Sequence, residues 1–360
     1  MLRRFGLTLE KTDERNVISE LLAIVLTLVG TFAVTGILLQ IANVDPLNAY
    51  RSLFTGALGS RDAIVETLAR STPLMLTAIS TVIAFRGKIW TIGQEGQLIG
   101  GAMMSYWALL LFGGLPRPIL LPIIIITGFM GGALLGLISG IMKAYFDVNV
   151  IISTVLLNYI ISLVLSTLLY DQKLWMDPSH YYPQSAQVPA IARFPKLIEG
   201  SHLHIGIIMA LLAIILVYWL LKKTPYGYEI RAMGANPTAS RFRGIHLNRV
   251  IISTLVLSGG IAGLAGLGEV FGVQNRLVMD ISAGYGFTGI AVAMIAGLNP
   301  IAVIPTAFLF GGLMNGSFSL LVKTNVPTTF VFALQAIFLL FLLIGRAVTS
   351  YRIRRPCTDV

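Results

Sequence analysis

Residues 118–142 read PILLPIIIITGFMGGALLGLISGIM, a run without one charged side chain. About 20 apolar residues in helix cross the hydrocarbon of a bilayer, so this run can span one by itself. Within it Gly128, Gly132, Gly136 and Gly140 recur every fourth residue and share one face of a helix. In lipid, small residues at that spacing let two backbones approach closely. A second small-residue stripe, Ser258, Gly259, Ala262, Gly263 and Gly266, has the same character. Both stripes imply tight packing in a bundle or at a subunit contact, and no chemistry.

Working outward, further apolar runs lie at 17–42, 62–85, 89–112, 148–170, 204–221, 249–272, 286–298, 300–322 and 327–346. The expectation is an all-α polytopic membrane protein of about ten transmembrane helices. Composition agrees: 56% of the 360 residues are apolar and 12% charged, about half the charge of a soluble domain. That excludes a disordered chain and a conventional soluble enzyme. The single cysteine, Cys357, cannot form an internal bridge, which excludes a disulfide scaffold and leaves the redox compartment open. The net charge of +10 shows no clustered soluble face of the kind nucleic acid requires; in a membrane chain it reports orientation.

The run at 17–42 follows Arg3, Arg4, Lys11 and Arg15. It is too long for a signal-peptide core and lacks a small-residue cleavage site, so it is expected to stay as the first helix. The run at 286–298 is short for a span. Without it Arg346, Arg352, Arg354 and Arg355 would face outside, against the positive-inside rule. With it both termini lie inside, and the inner segments collect Arg86, Lys88, Lys143, Lys222, Lys223, Arg231, Arg241, Arg243 and Arg249 besides the terminal residues, the majority of the 26 basic residues. The expected organisation is a cytoplasmic N-terminal segment 1–16, a transmembrane domain 17–346 and a cytoplasmic tail 347–360. Within the domain, an outer loop at 171–203 carries Pro178, Pro183, Pro189 and Pro195 with Trp175, Tyr181, Tyr182 and Phe194. It reads either as an ordered surface for a partner or as interfacial anchoring. An inner segment at 222–249 is basic.

Several chemistries have no residues to support them. No Gly-x-x-x-x-Gly-Lys-Ser/Thr phosphate loop occurs, so ATP chemistry by that route must come from a partner. His180, His202, His204 and His246 form no His-Glu-x-x-His pair, and a surface role is expected for the loop histidines rather than metal ligation. A membrane enzyme is therefore a weak reading. An ion-coupled carrier is the stronger rival, although the chain of intramembrane acids and arginines such carriers often show is missing.

Polar residues within apolar runs mark a pathway or an interhelical pair. Glu95 stands in TIGQEGQ at 91–97, between Gly93 and Gly96. Either Gln94, Glu95 and Gln97 line or shape a route, or Glu95 satisfies N–H groups at a helix end. Glu269 lies near the outer end of its run; solvation there, a pair with Arg276, and a place at a substrate entrance are the alternatives. Asn158, Asn315 and Gln335 are amides suited to interhelical bonding or to a polar solute. Phe287, with Tyr285, offers a stacking face for a flat ring or a packing contact.

The inner stretch GYEIRAMGANPTASRFRGI at 227–245 predicts a short helix over 226–233, a Gly/Asn-Pro turn, and a second short helix with Pro237 at a permitted early position. A compact basic hairpin of this kind can dock into another protein. It resembles the coupling loop of membrane subunits in the ABC importer superfamily of branched-chain amino-acid, ribose and nucleoside permeases. TIGQEGQLIGGA at 91–102, SGGIAGLAG at 258–266 and GFTGIAVAMIAGLNP at 286–300 follow in the order expected for the nucleoside or simple-sugar branch, and the likeness covers most of 60–345. Thr91 and Gln94 depart from that branch, where asparagine and alanine are commoner; the departures bear on the solute.

The resemblance implies a permease subunit importing nucleosides, with a sugar as main rival. Its implied partners are a cytoplasmic ATPase carrying ATP and Mg, a second similar permease, an extracytoplasmic binding (lipo)protein and membrane lipid, with no cofactor in this chain. The implied location is the cytoplasmic membrane of a bacterium or archaeon. By resemblance Glu229, Arg231, Gly234, Asn236, Ala239 and Gly244 belong to the ATPase-contacting loop, and Gln94, Glu95 and Gln97 to a pathway motif.

Overall fold

The computed structural model describes residues 8–11, 17–171, 173–177 and 182–354. Arg3, Arg4, Arg15, Pro178, His180, Tyr181, Arg355 and Cys357, most of the segment 1–16 and the end of the tail lie outside the described residues. Helices run in the order α1 Val17–Ile41, α2 Pro46–Leu58, α3 Arg61–Arg86, α4 Gln94–Phe112, α5 Arg117–Phe146, α6 Val150–Tyr170 and α7 Gly206–Lys223. There follow α8 Pro225–Ala235, α9 Pro237–Phe242, α10 Leu247–Gly268, α11 Tyr285–Ile295, α12 Val303–Thr324 and α13 Phe330–Ser350. Each apolar run of the sequence lies on one of these helices.

Among the described residues six helices are long and apolar enough to cross a membrane: α3, α5, α6, α7, α12, and α10 with its continuation to Gln274. Shorter apolar stretches lie at Val29–Ile41, Tyr285–Ile295 and Phe330–Leu342. The protein is thus helical and multi-pass. One departure from all-α is a four-residue antiparallel ladder pairing β1 Thr8–Lys11 with β2 Tyr351–Arg354.

The chain divides into two compact units. Unit 1 comprises 1–57 and 313–360, and unit 2 comprises 58–312. In unit 1, α2 was not expected from the hydropathy, because only one stripe of it is buried: Ala49, Ser52, Leu53 and Ala57. Leu47, Phe54 and Leu58 stay exposed. Asp45 opens this helix by accepting from the Leu47 N–H at 3.0 Å.

In unit 2 the two glycine stripes meet each other. A Cβ on Gly132 would run into the Gly259 carbonyl, one on Gly136 into the Leu255 carbonyl, and one on Gly263 into the Gly128 carbonyl. The helices α5 and α10 therefore touch backbone to backbone, the packing their spacing implies. The helix α4 joins the same seam: Gly101 abuts Gly263, Gly266 abuts the Leu98 carbonyl, and Gly131 of α5 abuts the Gly100 carbonyl. The three helices α4, α5 and α10 thus meet backbone to backbone in one seam.

The apolar run from 89 does not begin as helix. Residues 87–93 are irregular, and α4 starts at Gln94. The two-glycine opening of the motif accounts for it, since neither Gly93 nor Gly96 favours continuing a helix backward.

Candidate translocation site and coupling hairpin

The irregular stretch before α4 is held by α6. Asn158 donates its amide to the Ile92 carbonyl at 2.8 Å and accepts from the Gly96 N–H at 2.9 Å. Thr154 accepts from the Ile92 N–H at 3.2 Å. Backbone polar groups at membrane depth need such partners, because no solvent supplies them. Glycine is required at 96 because a Cβ there would strike Asn158. Asn158 is thus an interhelical clamp.

Glu95 projects from the first turn of α4 to another helix. One carboxylate oxygen accepts from the Gly286 N–H at 2.8 Å and the Phe287 N–H at 3.3 Å, in the first turn of α11. The Ser282 hydroxyl donates to the same carboxylate. The N-terminus of α11 is entered through Ala283 and Gly284, both in left-handed conformation, and Gly284 brings no side-chain cap. A buried acid from α4 supplies what the local sequence lacks: an acceptor for orphan N–H groups and a negative charge at the positive end of the helix dipole. Of the two readings of Glu95, satisfaction of a helix end describes the geometry, but the end belongs to α11 rather than α4.

Gln94 and Gln97 flank this contact, both buried. Among the described residues, neither amide atom of Gln94 and not the Gln97 Oε1 has a hydrogen-bond partner. Around them stand hydroxyls of neighbouring helices. Ser80 and Ser258 bond each other at 3.0 Å, and Thr77 donates to the Tyr285 carbonyl at 3.1 Å. Around Glu95 the centre of unit 2 is therefore lined by amides and hydroxyls.

A second cluster lies on the same segment. The helix α10 continues into a π-helical turn, Glu269–Gln274, and Glu269 is 4% exposed. Of the alternatives for Glu269, neither solvation nor a pair with Arg276 describes it: the cation facing it is Arg70 of α3, which also hydrogen-bonds Tyr285. Arg70 escaped the sequence reading although its signal was plain, a guanidinium in the middle of the run at 62–85. Tyr285 is a core residue, whereas the Phe287 ring is 51% exposed. The remaining candidates belong to unit 1, where Asn315 donates to the Gly56 carbonyl at 3.1 Å and Gln335 is buried on α13.

The outer loop is ordered where described. Its backbone strings along the segment after α10: Phe194 N–H to the Phe271 carbonyl at 2.9 Å, Val188 to Asn275 at 2.8 Å, and Ser185 to Leu277 at 2.9 Å. His202 faces Glu66 of α3 at 3.0 Å, a surface pair as its position suggested. Among the described residues no group of three His, Cys, Asp or Glu side chains gathers to hold a metal ion.

At the opposite end of unit 2, α8 and α9 form the expected hairpin. Thr224 caps α8 by accepting from the Gly227 N–H at 3.1 Å, and Asn236 caps α9 by accepting from Ala239 at 3.1 Å. Pro225 and Pro237 take the first helical positions, where a missing N–H is harmless. Arg231, Asn236, Ala239 and Gly244 are exposed and Glu229 half-buried, but Gly234 is buried. A Cβ at 234 would meet the Arg86 carbonyl and Gly87, so Gly234 seats the hairpin on the end of α3 instead of presenting a surface. Phe242, which the sequence reading passed over, is 89% exposed beside Arg241 and Arg243.

A bundle of apolar helices whose buried polar groups are mostly hydroxyls and amides, with few ionisable side chains, and a basic hairpin stiffened by two caps at one end, defines a multi-pass membrane protein of the permease class. The chain belongs to the family described as Branched-chain amino acid transport system / permease component, which its residues 63–345 match. It is 36% identical over 313 residues to the Nucleoside ABC transporter permease protein NupB of Lactococcus lactis, covering 84% of each chain. It is 32% identical over 342 residues to the Guanosine ABC transporter permease protein NupP of Bacillus subtilis, covering 94% of this chain and 95% of that one. It is 31% identical over 339 residues to the Glucose ABC transporter permease protein TsgB13 of Haloferax volcanii, covering 91% and 88%.

Proposed function

We propose that this chain is the membrane-spanning subunit of an ATP-driven nucleoside importer in the cytoplasmic membrane of a bacterium or archaeon. The observation that carries the reading is the likeness to two nucleoside permeases along 84% and 94% of the chain. The chemistry supports it: amides and hydroxyls at the centre of unit 2 suit a neutral, hydroxylated solute better than an ion. In this reading the chain crosses about ten times with both termini inside. Its domain is 17–346, between the cytoplasmic segments 1–16 and 347–360.

The partners follow from the two ends. A cytoplasmic ATPase, which carries ATP and Mg, grips the hairpin through Glu229, Arg231, Asn236, Ala239 and Gly244, with Phe242 as an apolar knob. Gly234 passes the push to α3. A binding protein delivers solute at 171–203, and a second permease chain completes the pathway. Gln94, whose amide the fold leaves unbonded, and Gln97, whose Oε1 has no partner among the described residues, meet the solute as the bundle shifts between outward-open and inward-open states, a shift that requires different contacts in each. Glu95, Asn158 and Glu269 shape the route, and Phe287 supplies a ring face. Asn315 and Gln335 lie in unit 1, where Asn315 bonds the Gly56 carbonyl and Gln335 is buried on α13.

The test is uptake of labelled guanosine into proteoliposomes holding the full complex. ATP-dependent accumulation is expected, with no transport by this chain alone under an ion gradient; accumulation without nucleotide overturns the reading. TsgB13 favours a second reading, a sugar permease, in which glucose and not guanosine would be accumulated.

A further inference from the structure

We infer that a cleft on the hairpin end of unit 2 binds an anionic phospholipid, the phosphate at Lys88 and an acyl chain along its apolar wall. The cleft lies between the α3–α4 linker, the α5–α6 turn and α10, holds about 400 Å³, and is lined by Lys88, Trp90, Lys143, Val150 and Ile251 among others. Its floor is apolar, since Ile89 and Val150 are both buried. The linker packs on α8, with Gly87 against Met233 and Ile230, so the cleft opens at the level of the basic inner segments.

Charge selects the headgroup. Lys143 is engaged by Asp147, four residues on and in the same cleft, so those two charges offset each other, whereas Lys88 is exposed and makes no ion pair among the described residues. The first turn of α6, which lines the same cleft, adds the positive end of a helix. Lys88 also stands at φ 52°, where a helix end ordinarily carries glycine, so the lysine there is conformationally strained. Trp90 is 47% exposed and braced edge-on against Phe85 at 4.6 Å, the placement of an interfacial ring. Free phosphate would account for the lysine, but not for an apolar cleft beneath it; a diacyl lipid accounts for both. The leaflet follows from the orientation proposed above, while the binding itself needs neither solute nor nucleotide.

The full chain in nanodiscs containing phospholipid with brominated acyl chains tests this. The difference in fluorescence between the wild type and Trp90→Phe isolates Trp90. Half-quenching is expected at a mole fraction of phosphatidylglycerol about five-fold below that of phosphatidylcholine, the factor matching about 1 kcal/mol for one lysine at an anionic surface. Lys88→Gly removes the charge while relieving the backbone, so it should fold as well as the wild type and lose the preference. Equal quenching by the two lipids, quenching by neither, or a preference that survives Lys88→Gly overturns the inference. So does relief of the quenching by inorganic phosphate at matched ionic strength, which would make the cleft a simple anion site. None of these outcomes bears on nucleoside uptake, so failure here is distinguishable from failure of the import reading.

Discussion

Replacing Glu95 by alanine should loosen α11 specifically. The carboxylate accepts two backbone N–H groups at 2.8 and 3.3 Å and the Ser282 hydroxyl, and it is 8% exposed, so no solvent replaces it. A hydrogen bond to a charged group contributes about 1.5–3 kcal/mol, and an orphaned buried donor costs about 1–3 kcal/mol. The longer bond to Phe287 counts for less, and the desolvation of the carboxylate that alanine relieves offsets part of the loss. The net destabilisation of the α11 start is then about 3 kcal/mol, which is roughly a hundred-fold in a local opening equilibrium at 1.4 kcal/mol per decade. Hydrogen exchange in detergent reads this directly: the amides of Gly286 and Phe287 should lose about two orders of magnitude of protection, with α5 and α10 unchanged. Glu95→Gln keeps one acceptor oxygen and should lose only about one order. Wild-type protection at Gly286 and Phe287 in the alanine variant would refute the capping role. Uptake by the alanine variant should fall if the proposed route runs past Glu95, because the same contact joins the start of α4 to α11.

Asn158→Ala removes both clamps on the stretch before α4 and orphans the Ile92 carbonyl and Gly96 N–H, a loss of about 2–4 kcal/mol readable as a lowered thermal midpoint of the purified chain. Gly132→Val drives a side chain into the Gly259 carbonyl; since backbone cannot yield as a side chain can, about 3 kcal/mol or more is expected, seen as loss of monodisperse protein after extraction. Arg231→Glu and Phe242→Asp alter exposed hairpin positions, so membrane insertion and thermal midpoint should be unchanged while solute-stimulated ATP hydrolysis by the complex is abolished.

The helices were legible because the bilayer imposes one rule on the whole chain: a run without charge must be long, and its glycines must face a neighbour. The stripes of α5 and α10 could be paired with helix packing from spacing alone, and the hairpin from Thr224, Pro225, Asn236 and Pro237, whose capping chemistry is local. Two things were not legible. The helix α2 is amphipathic with only four buried positions, so hydropathy passes over it. The partners of the polar residues depend on contacts far apart in sequence: Glu95 with Gly286 and Arg70 with Glu269 are about two hundred residues apart, and no local pattern encodes them.

That separation has a mechanical consequence. The segment from Glu269 to Phe287 is fastened on one side by Glu95 and Arg70, and on another by the backbone of the outer loop at Phe271, Asn275 and Leu277. It contains a π-helical turn and the left-handed residues Asn275, Ala283 and Gly284, so it is an irregular joint between α10 and α11. A force applied to the outer loop reaches the α11 start through three backbone hydrogen bonds, and one applied to the hairpin reaches α3, which carries Arg70, through Gly234. Both routes end on one irregular segment, and in the import reading proposed above a change of state driven from either side of the membrane acts there.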